Sequence, residues 1–151
     1  MTDDGSSGVD AAWFADVADS YLFRTLDARE RALLLRVGEE IDAEAGDVIL
    51  HQGEEGDAFF FILEGTVKIS TSRGTEVIPL AELGHGSLLG EVSTLTGGPR
   101  TATAVALNDT RLVRFPSKAF KAVLEHNPKI KALVEKVVAR RAEDTIEKTL
   151  Q

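Results

Sequence analysis

Between Ile41 and Phe115 the chain consists of short runs of strand-forming residues, interrupted by glycines and polar turns. Six such runs predict strands, at residues 48–50, 58–63, 66–71, 75–83, 101–107 and 111–115. Ser72-Arg73-Gly74 is typical of a hairpin turn between two of them. Several short strands at this spacing favour a sandwich or jelly roll over a parallel sheet.

Helical patterns precede this β region. Residues 11–18 predict a short helix, and residues 27–40 predict an amphipathic one. Asp27 is predicted to cap the second helix, with Glu30 completing a capping box. Residues 1–10 are acidic and rich in Gly and Ser, which predicts a disordered tail ahead of one domain.

Helical patterns also follow the β region. After Pro116, Ser117 is predicted to cap a helix over 118–126. Asn127-Pro128 is predicted to begin a second helix that continues towards the C-terminus. The second helix carries one apolar stripe, formed by Ile130, Leu133, Val134, Val137 and Val138.

Within residues 86–106, one acid, Glu91, and one base, Arg100, lie at the two ends of a short glycine-rich loop. A carboxylate accepts hydrogen bonds from sugar hydroxyls, and a guanidinium binds phosphate oxygens with a planar fork of donors. The loop therefore suits a ligand that has both a hydroxyl and a phosphate. Without such a ligand, the two charges are expected to pair with each other.

This loop closely resembles the phosphate-binding cassette of cyclic nucleotide-binding domains, as in catabolite activator proteins and cyclic-nucleotide-dependent kinases. Gly90-Glu91 and Pro99-Arg100-Thr101-Ala102-Thr103 match the family pattern without a gap, and the resemblance covers about residues 22–145. It implies a mainly β, α+β fold. The expected architecture is an eight-stranded antiparallel jelly-roll β-barrel over 41–116, with N-terminal helices, a short cassette helix and a C-terminal helical lid over 117–150.

The resemblance also assigns roles to single residues of this sequence. It implies phosphate binding by Arg100, Thr101, Ala102, Val92 and Ser93. It implies ribose binding by Gly90 and Glu91. It implies base contacts by Ile69, Leu80, Arg141 and Thr145.

Composition argues against several classes of function. The 151 residues carry a formal net charge of −8, so no nucleic-acid-binding surface is expected. There is no cysteine, which excludes disulfides and thiol nucleophiles and suits a reducing cytoplasm. The histidines His51, His85 and His126 occur singly, so neither a metal site nor an enzyme, such as a metal-dependent cupin, is predicted. No apolar run approaches the roughly 20 residues that span a bilayer, and no signal peptide is evident.

These features predict a stand-alone regulatory module that binds a cyclic purine nucleotide, with cAMP slightly favoured over cGMP, and has no helix-turn-helix. Movement of the C-terminal helix would relay binding to a protein effector. The alternative is a nucleotide-independent interaction domain of the same fold. In that case residues 130–138 would dock a partner or form a homodimer.

Overall fold

The computed structural model describes residues 12–150, with side chains described up to Ala142. The helices are α1 Phe14–Ala18, α2 Ala28–Leu35, α3 Glu91–Thr96, α4 Ser117–Glu125 and α5 Pro128–Leu150. The strands are β1 Glu39–Ala43, β2 Val48–Leu50, β3 Ala58–Glu64, β4 Val67–Arg73, β5 Glu76–Leu83, β6 Leu88–Leu89, β7 Thr103–Ala106 and β8 Thr110–Pro116. The predicted tail at residues 1–10 lies outside the described residues. No helix within the described range is both long enough and apolar enough to cross a membrane.

The strands form two antiparallel four-stranded sheets, in the orders β1-β8-β3-β6 and β2-β7-β4-β5. Sequence neighbours such as β1 and β2 lie in different sheets, because the chain crosses from one sheet to the other as in a jelly roll. The predicted α+β jelly-roll class is therefore confirmed. The two sheets are not closed into a barrel, since β1, β6, β2 and β5 are edge strands that each pair on one side only.

Strand β3 is buried on both faces, which explains its unbroken apolar sequence. Phe60 and Ile62 face the other sheet and contribute to the core between the sheets. Phe59 and Phe61 face the opposite way and contribute to a second core beneath the helices.

The second core is an aromatic cluster that attaches the helices to the sheet. Phe115 of β8 stacks on Phe59, with 4.9 Å between ring centroids and 14° between ring planes. Phe120 of α4 meets Phe59 edge-on at 5.0 Å. The apolar stripe of α5 packs into the same cluster through three buried side chains, Ile130, Val134 and Val138. This stripe is therefore part of the domain core rather than an open surface.

The capping box at α2 is confirmed. The Asp27 carboxylate accepts from the Glu30 backbone N–H, and the Glu30 carboxylate accepts from the Asp27 backbone N–H. The predicted end of this helix at Glu40 is wrong, because α2 ends at Leu35 and residues 39–43 form β1. Three ion pairs join this acidic strand to β8: Glu39 pairs with Arg114 at 2.9 Å, and Glu40 and Asp42 both pair with Arg111. Pairing with a basic neighbour outweighs local helix propensity here.

Other predicted boundaries also shift, by one to three residues. The first helix covers residues 14–18, and the strand predicted at 101–107 covers 103–106. Ser117 is the first residue of α4 and not its cap. The cap position is Pro116, and the Ser117 backbone N–H donates to the Asp57 carbonyl at 2.8 Å.

Candidate functional site

A cavity of about 520 Å³ lies where α3, the start of β7, β4 and α5 meet. The predicted site residues that line it are Ile69, Gly90, Glu91, Val92, Ser93, Arg100, Thr101, Ala102 and Arg141. Leu80 is not brought to this cavity. It lies at a bulge in β5, where the register with β4 shifts, and it is half exposed. The side chain of Thr145 lies outside the described residues.

Arg100 reaches into the protein beneath α3 and is only 6% exposed. Its Nη1 donates to the Gly90 carbonyl at 3.2 Å and to the Thr94 hydroxyl at 3.1 Å. Its Nη2 donates to the Ala58 carbonyl at 2.6 Å, and the exposed Asp57 carboxylate lies 3.9 Å from the same nitrogen. The guanidinium is thus held in one orientation by acceptors from the cassette and from β3.

These bonds do not use every donor of the guanidinium. They use three of its five N–H groups, so the Nε hydrogen and one Nη2 hydrogen remain. Burial lowers the pKa of Arg100, and the carboxylates of Asp57 and Glu54 oppose this shift. The group nevertheless keeps its charge, since an arginine pKa lies far above neutral pH. The site therefore presents a fixed positive charge at the wall of the cavity.

Gly90 is required for this arrangement. It precedes α3 with φ 75° and ψ 7°, a left-handed conformation that side chains with a Cβ disfavour. A Cβ built at this position would also overlap Nη1 of Arg100. The glycine before Glu91 therefore makes the space in which the guanidinium lies.

We expect Gly90→Ala to lower the free energy of unfolding by more than Gly74→Ala does. Both glycines have positive φ, 75° and 64°, so each alanine costs about 1–2 kcal/mol of backbone strain. Only the alanine at Gly90 displaces Arg100, because a Cβ at Gly74 meets nothing within 4 Å. Urea unfolding of the two variants measures the difference. Equal losses would contradict the described position of the guanidinium.

Glu91 is the first residue of α3 and is 5% exposed. Its Oε2 accepts a hydrogen bond of 2.6 Å from the hydroxyl of Tyr21, which lies between α1 and α2. Arg141 of α5 lies over the Tyr21 ring, with 5.3 Å from Cζ to the ring centroid. The N-terminal segment therefore contacts both the cassette and the last helix through Tyr21.

The expected ion pair between Glu91 and Arg100 does not form in the described structure. Each side chain has other partners, Tyr21 for the carboxylate and backbone carbonyls for the guanidinium. The sequence patterns indicated neither Tyr21 nor Thr94, whose hydroxyl donates to the Ala58 carbonyl and accepts from Arg100. Within the described residues, no group of three or more His, Asp or Glu side chains could hold a metal ion.

Comparison with known proteins is consistent with this geometry. Residues 40–127 match the model of the cyclic nucleotide-binding domain family. Lysophospholipase nte1 of Neosartorya fischeri is 35% identical over 111 residues, which are 73% of this chain and 7% of that protein. The Thermus thermophilus Catabolite Activator Protein is 31% identical, with a TM-score of 0.71 over 86% of this chain and 62% of its own.

A further solved structure shares the fold alone. The regulatory domain of Toxoplasma gondii PKA, co-crystallised with cAMP, is 20% identical, with a TM-score of 0.78 over 93% of this chain and 52% of its own. The chain belongs to the cyclic nucleotide-binding domain family. It spans about 7% of the length of the curated lysophospholipases that it matches, so membership concerns the domain and not their activity.

Proposed function

We propose that this chain is a regulatory module that binds a cyclic purine nucleotide, with cAMP slightly preferred over cGMP, and that it is not an enzyme. One observation carries the proposal. A buried guanidinium, Arg100, and a buried carboxylate, Glu91, line the same cavity from the two ends of one cassette. Burying a charged side chain costs free energy, so a cavity lined by two buried charges is a candidate binding site. The guanidinium suits a phosphate of the ligand, and the carboxylate suits a hydroxyl.

The cyclic phosphate would bind at Arg100. The remaining N–H groups of the guanidinium can donate to two phosphate oxygens, and the bonds to Gly90 and Ala58 fix its orientation beforehand. Val92 and Ser93 lie in the first turn of α3, where backbone N–H groups have no carbonyl partner within the helix. Together with the backbone of Ala102 and the hydroxyl of Thr101, these groups would complete the phosphate site.

The ribose would bind at Glu91. Tyr21 occupies Oε2, so Oε1 can accept a hydrogen bond from the 2′-hydroxyl. Because Gly90 has no side chain, its backbone could approach the ligand closely on the same side. Because a buried carboxylate without its partner is costly, this contact would discriminate against ligands that lack the hydroxyl.

Helix α5 would contribute to binding of the base. Ile69 forms an apolar wall of the cavity, and Arg141 brings α5 to its rim. Arg141 and Thr145 occupy positions that resemble those of base contacts in catabolite activator proteins. This resemblance favours cAMP as the ligand. Leu80 is left out of the proposed base site because of its place in β5.

Binding would be relayed to a protein effector by a shift of α5, which packs against the cassette helix α3. A change in the ligand site can therefore alter the position of α5. A homodimer through α5 would have to use its exposed face, because Ile130, Val134 and Val138 are buried within the domain. The lack of cysteine suits a cytoplasmic location.

We expect Glu91→Ala to remove discrimination between cAMP and 2′-deoxy-cAMP. A hydrogen bond to a buried carboxylate contributes about 1.5–3 kcal/mol, so the wild-type protein should prefer cAMP by roughly 10- to 150-fold. Titration calorimetry with both ligands measures the ratio of dissociation constants. Glu76→Ala, which removes the same charge from exposed strand β5, should keep the wild-type ratio. If Glu91→Ala also keeps it, the ribose does not bind at Glu91.

A further inference from the structure

Tyr21 joins two parts of the chain that are distant in sequence. It lies between α1 and α2, 70 residues before Glu91, and its hydroxyl donates to Glu91 Oε2 at 2.6 Å. Its ring packs against the core beneath the helices. This packing fixes where the hydroxyl lies, so the hydrogen bond is formed at little further cost in side-chain entropy.

The hydrogen bond acts on a carboxylate that has few orientations open to it. Glu91 is 5% exposed, and the bond satisfies one of its two oxygens. With Oε2 held by Tyr21, the plane of the carboxylate is set and Oε1 has a defined direction. A phenylalanine in place of Tyr21 would preserve the ring but leave the carboxylate free to rotate and incompletely paired.

The same ring is in contact with α5. The Arg141 guanidinium lies 5.3 Å from the ring centroid and also lines the cavity. Burial, and then the charge of Glu91, raise the pKa of Tyr21 well above its usual value, while Arg141 opposes the shift. The phenol therefore remains a hydrogen-bond donor throughout the pH range in which binding is measured.

We propose that Tyr21 is a positioning residue for the ligand hydroxyl: it holds Glu91 so that Oε1 is aimed at the 2′-hydroxyl of the nucleotide, and it thereby sets selectivity for ribonucleotides. This inference rests on the proposed function. It concerns selectivity rather than affinity in general, because the phosphate contacts of Arg100 do not involve Tyr21.

The test is titration calorimetry of Tyr21→Phe with cAMP and with 2′-deoxy-cAMP. We expect cAMP binding to weaken by roughly 5- to 10-fold, because a carboxylate that is no longer held loses part of its hydrogen bond to the 2′-hydroxyl, and we expect 2′-deoxy-cAMP binding to stay within about twofold of wild type. Ser20→Ala is the matched control. It removes a neighbouring hydroxyl that donates to the Val17 carbonyl, and it should leave both affinities unchanged.

The outcomes separate this inference from the proposal on which it rests. If Tyr21 had only a structural role, its replacement would weaken the binding of both ligands equally, and that result would overturn the inference. A preference for cAMP over 2′-deoxy-cAMP that is unchanged or increased in Tyr21→Phe also overturns the inference. An increase would mean that Tyr21 competes with the ribose for Glu91. If the wild-type protein binds neither ligand, the proposed function itself fails. Thermal unfolding of Tyr21→Phe checks that the variant is folded when the ratio is measured.

Discussion

Arg100→Ala is expected to weaken cyclic nucleotide binding by about 2–4 kcal/mol, which is roughly 30- to 1,000-fold in the dissociation constant. The reason is that the guanidinium is buried and already oriented by the carbonyls of Gly90 and Ala58. A phosphate that binds there gains charge-assisted hydrogen bonds without first having to order the side chain. Titration calorimetry with cAMP measures the loss directly.

Two further variants isolate the contribution of the guanidinium. Arg73→Ala removes the same charge from the exposed end of β4 and should leave the affinity within about twofold, because screened surface charges contribute little. Arg100→Lys keeps the charge but loses the planar fork, so most of the affinity should be lost. Thermal unfolding reports how far each Arg100 variant remains folded, since Ala58 and Thr94 also lose a partner. Unchanged affinity in Arg100→Lys and Arg100→Ala would show that the phosphate binds elsewhere.

Phe115→Ala is expected to lower the free energy of unfolding by about 3–5 kcal/mol. Phe115 is fully buried and stacks on Phe59 at 4.9 Å. It also packs 5.5 Å from Phe23 and 6.1 Å from Phe120, so its removal leaves a cavity between the sheet and the helices. Urea unfolding followed by circular dichroism measures the change.

The control for this experiment is Val77→Ala on the edge strand β5. Val77 is 65% exposed, and its truncation should change the unfolding free energy by less than about 0.5 kcal/mol. Phe115→Leu keeps most of the buried volume and should give a loss between those of the two alanine variants. If Phe115→Ala is no more destabilising than Val77→Ala, the helices do not depend on this aromatic cluster for their attachment to the sheet.

Local patterns in the sequence are sufficient to predict much of this fold. The capping box at Asp27, the hairpin near Gly74 and the continuous apolar run of β3 each depend on neighbouring residues. The structure has a capped helix, a hairpin and a strand at these places. The cassette is similar in this respect, because Glu91 and Arg100 are only nine positions apart in the sequence.

The features that the sequence did not predict depend on distant partners. The acidic residues 39–43 have no strand pattern of their own and become β1 through Arg111 and Arg114 of β8. Strand β6 is only two residues long and exists because it pairs with β3. Tyr21 is 70 residues from Glu91, so no local pattern connects the two. Such contacts require the tertiary fold, which propensity and periodicity do not encode.

The most direct test of the whole account is isothermal titration calorimetry of the purified, nucleotide-free protein with cAMP, cGMP and 5′-AMP. We predict micromolar or tighter binding of a cyclic nucleotide, with cAMP ahead of cGMP and 5′-AMP far weaker, because the proposed site holds one cyclic phosphate beside a ribose hydroxyl. Binding of 5′-AMP as tight as that of cAMP would contradict the proposed phosphate site. No binding of any of the three would contradict the proposed function and favour the nucleotide-independent interaction domain.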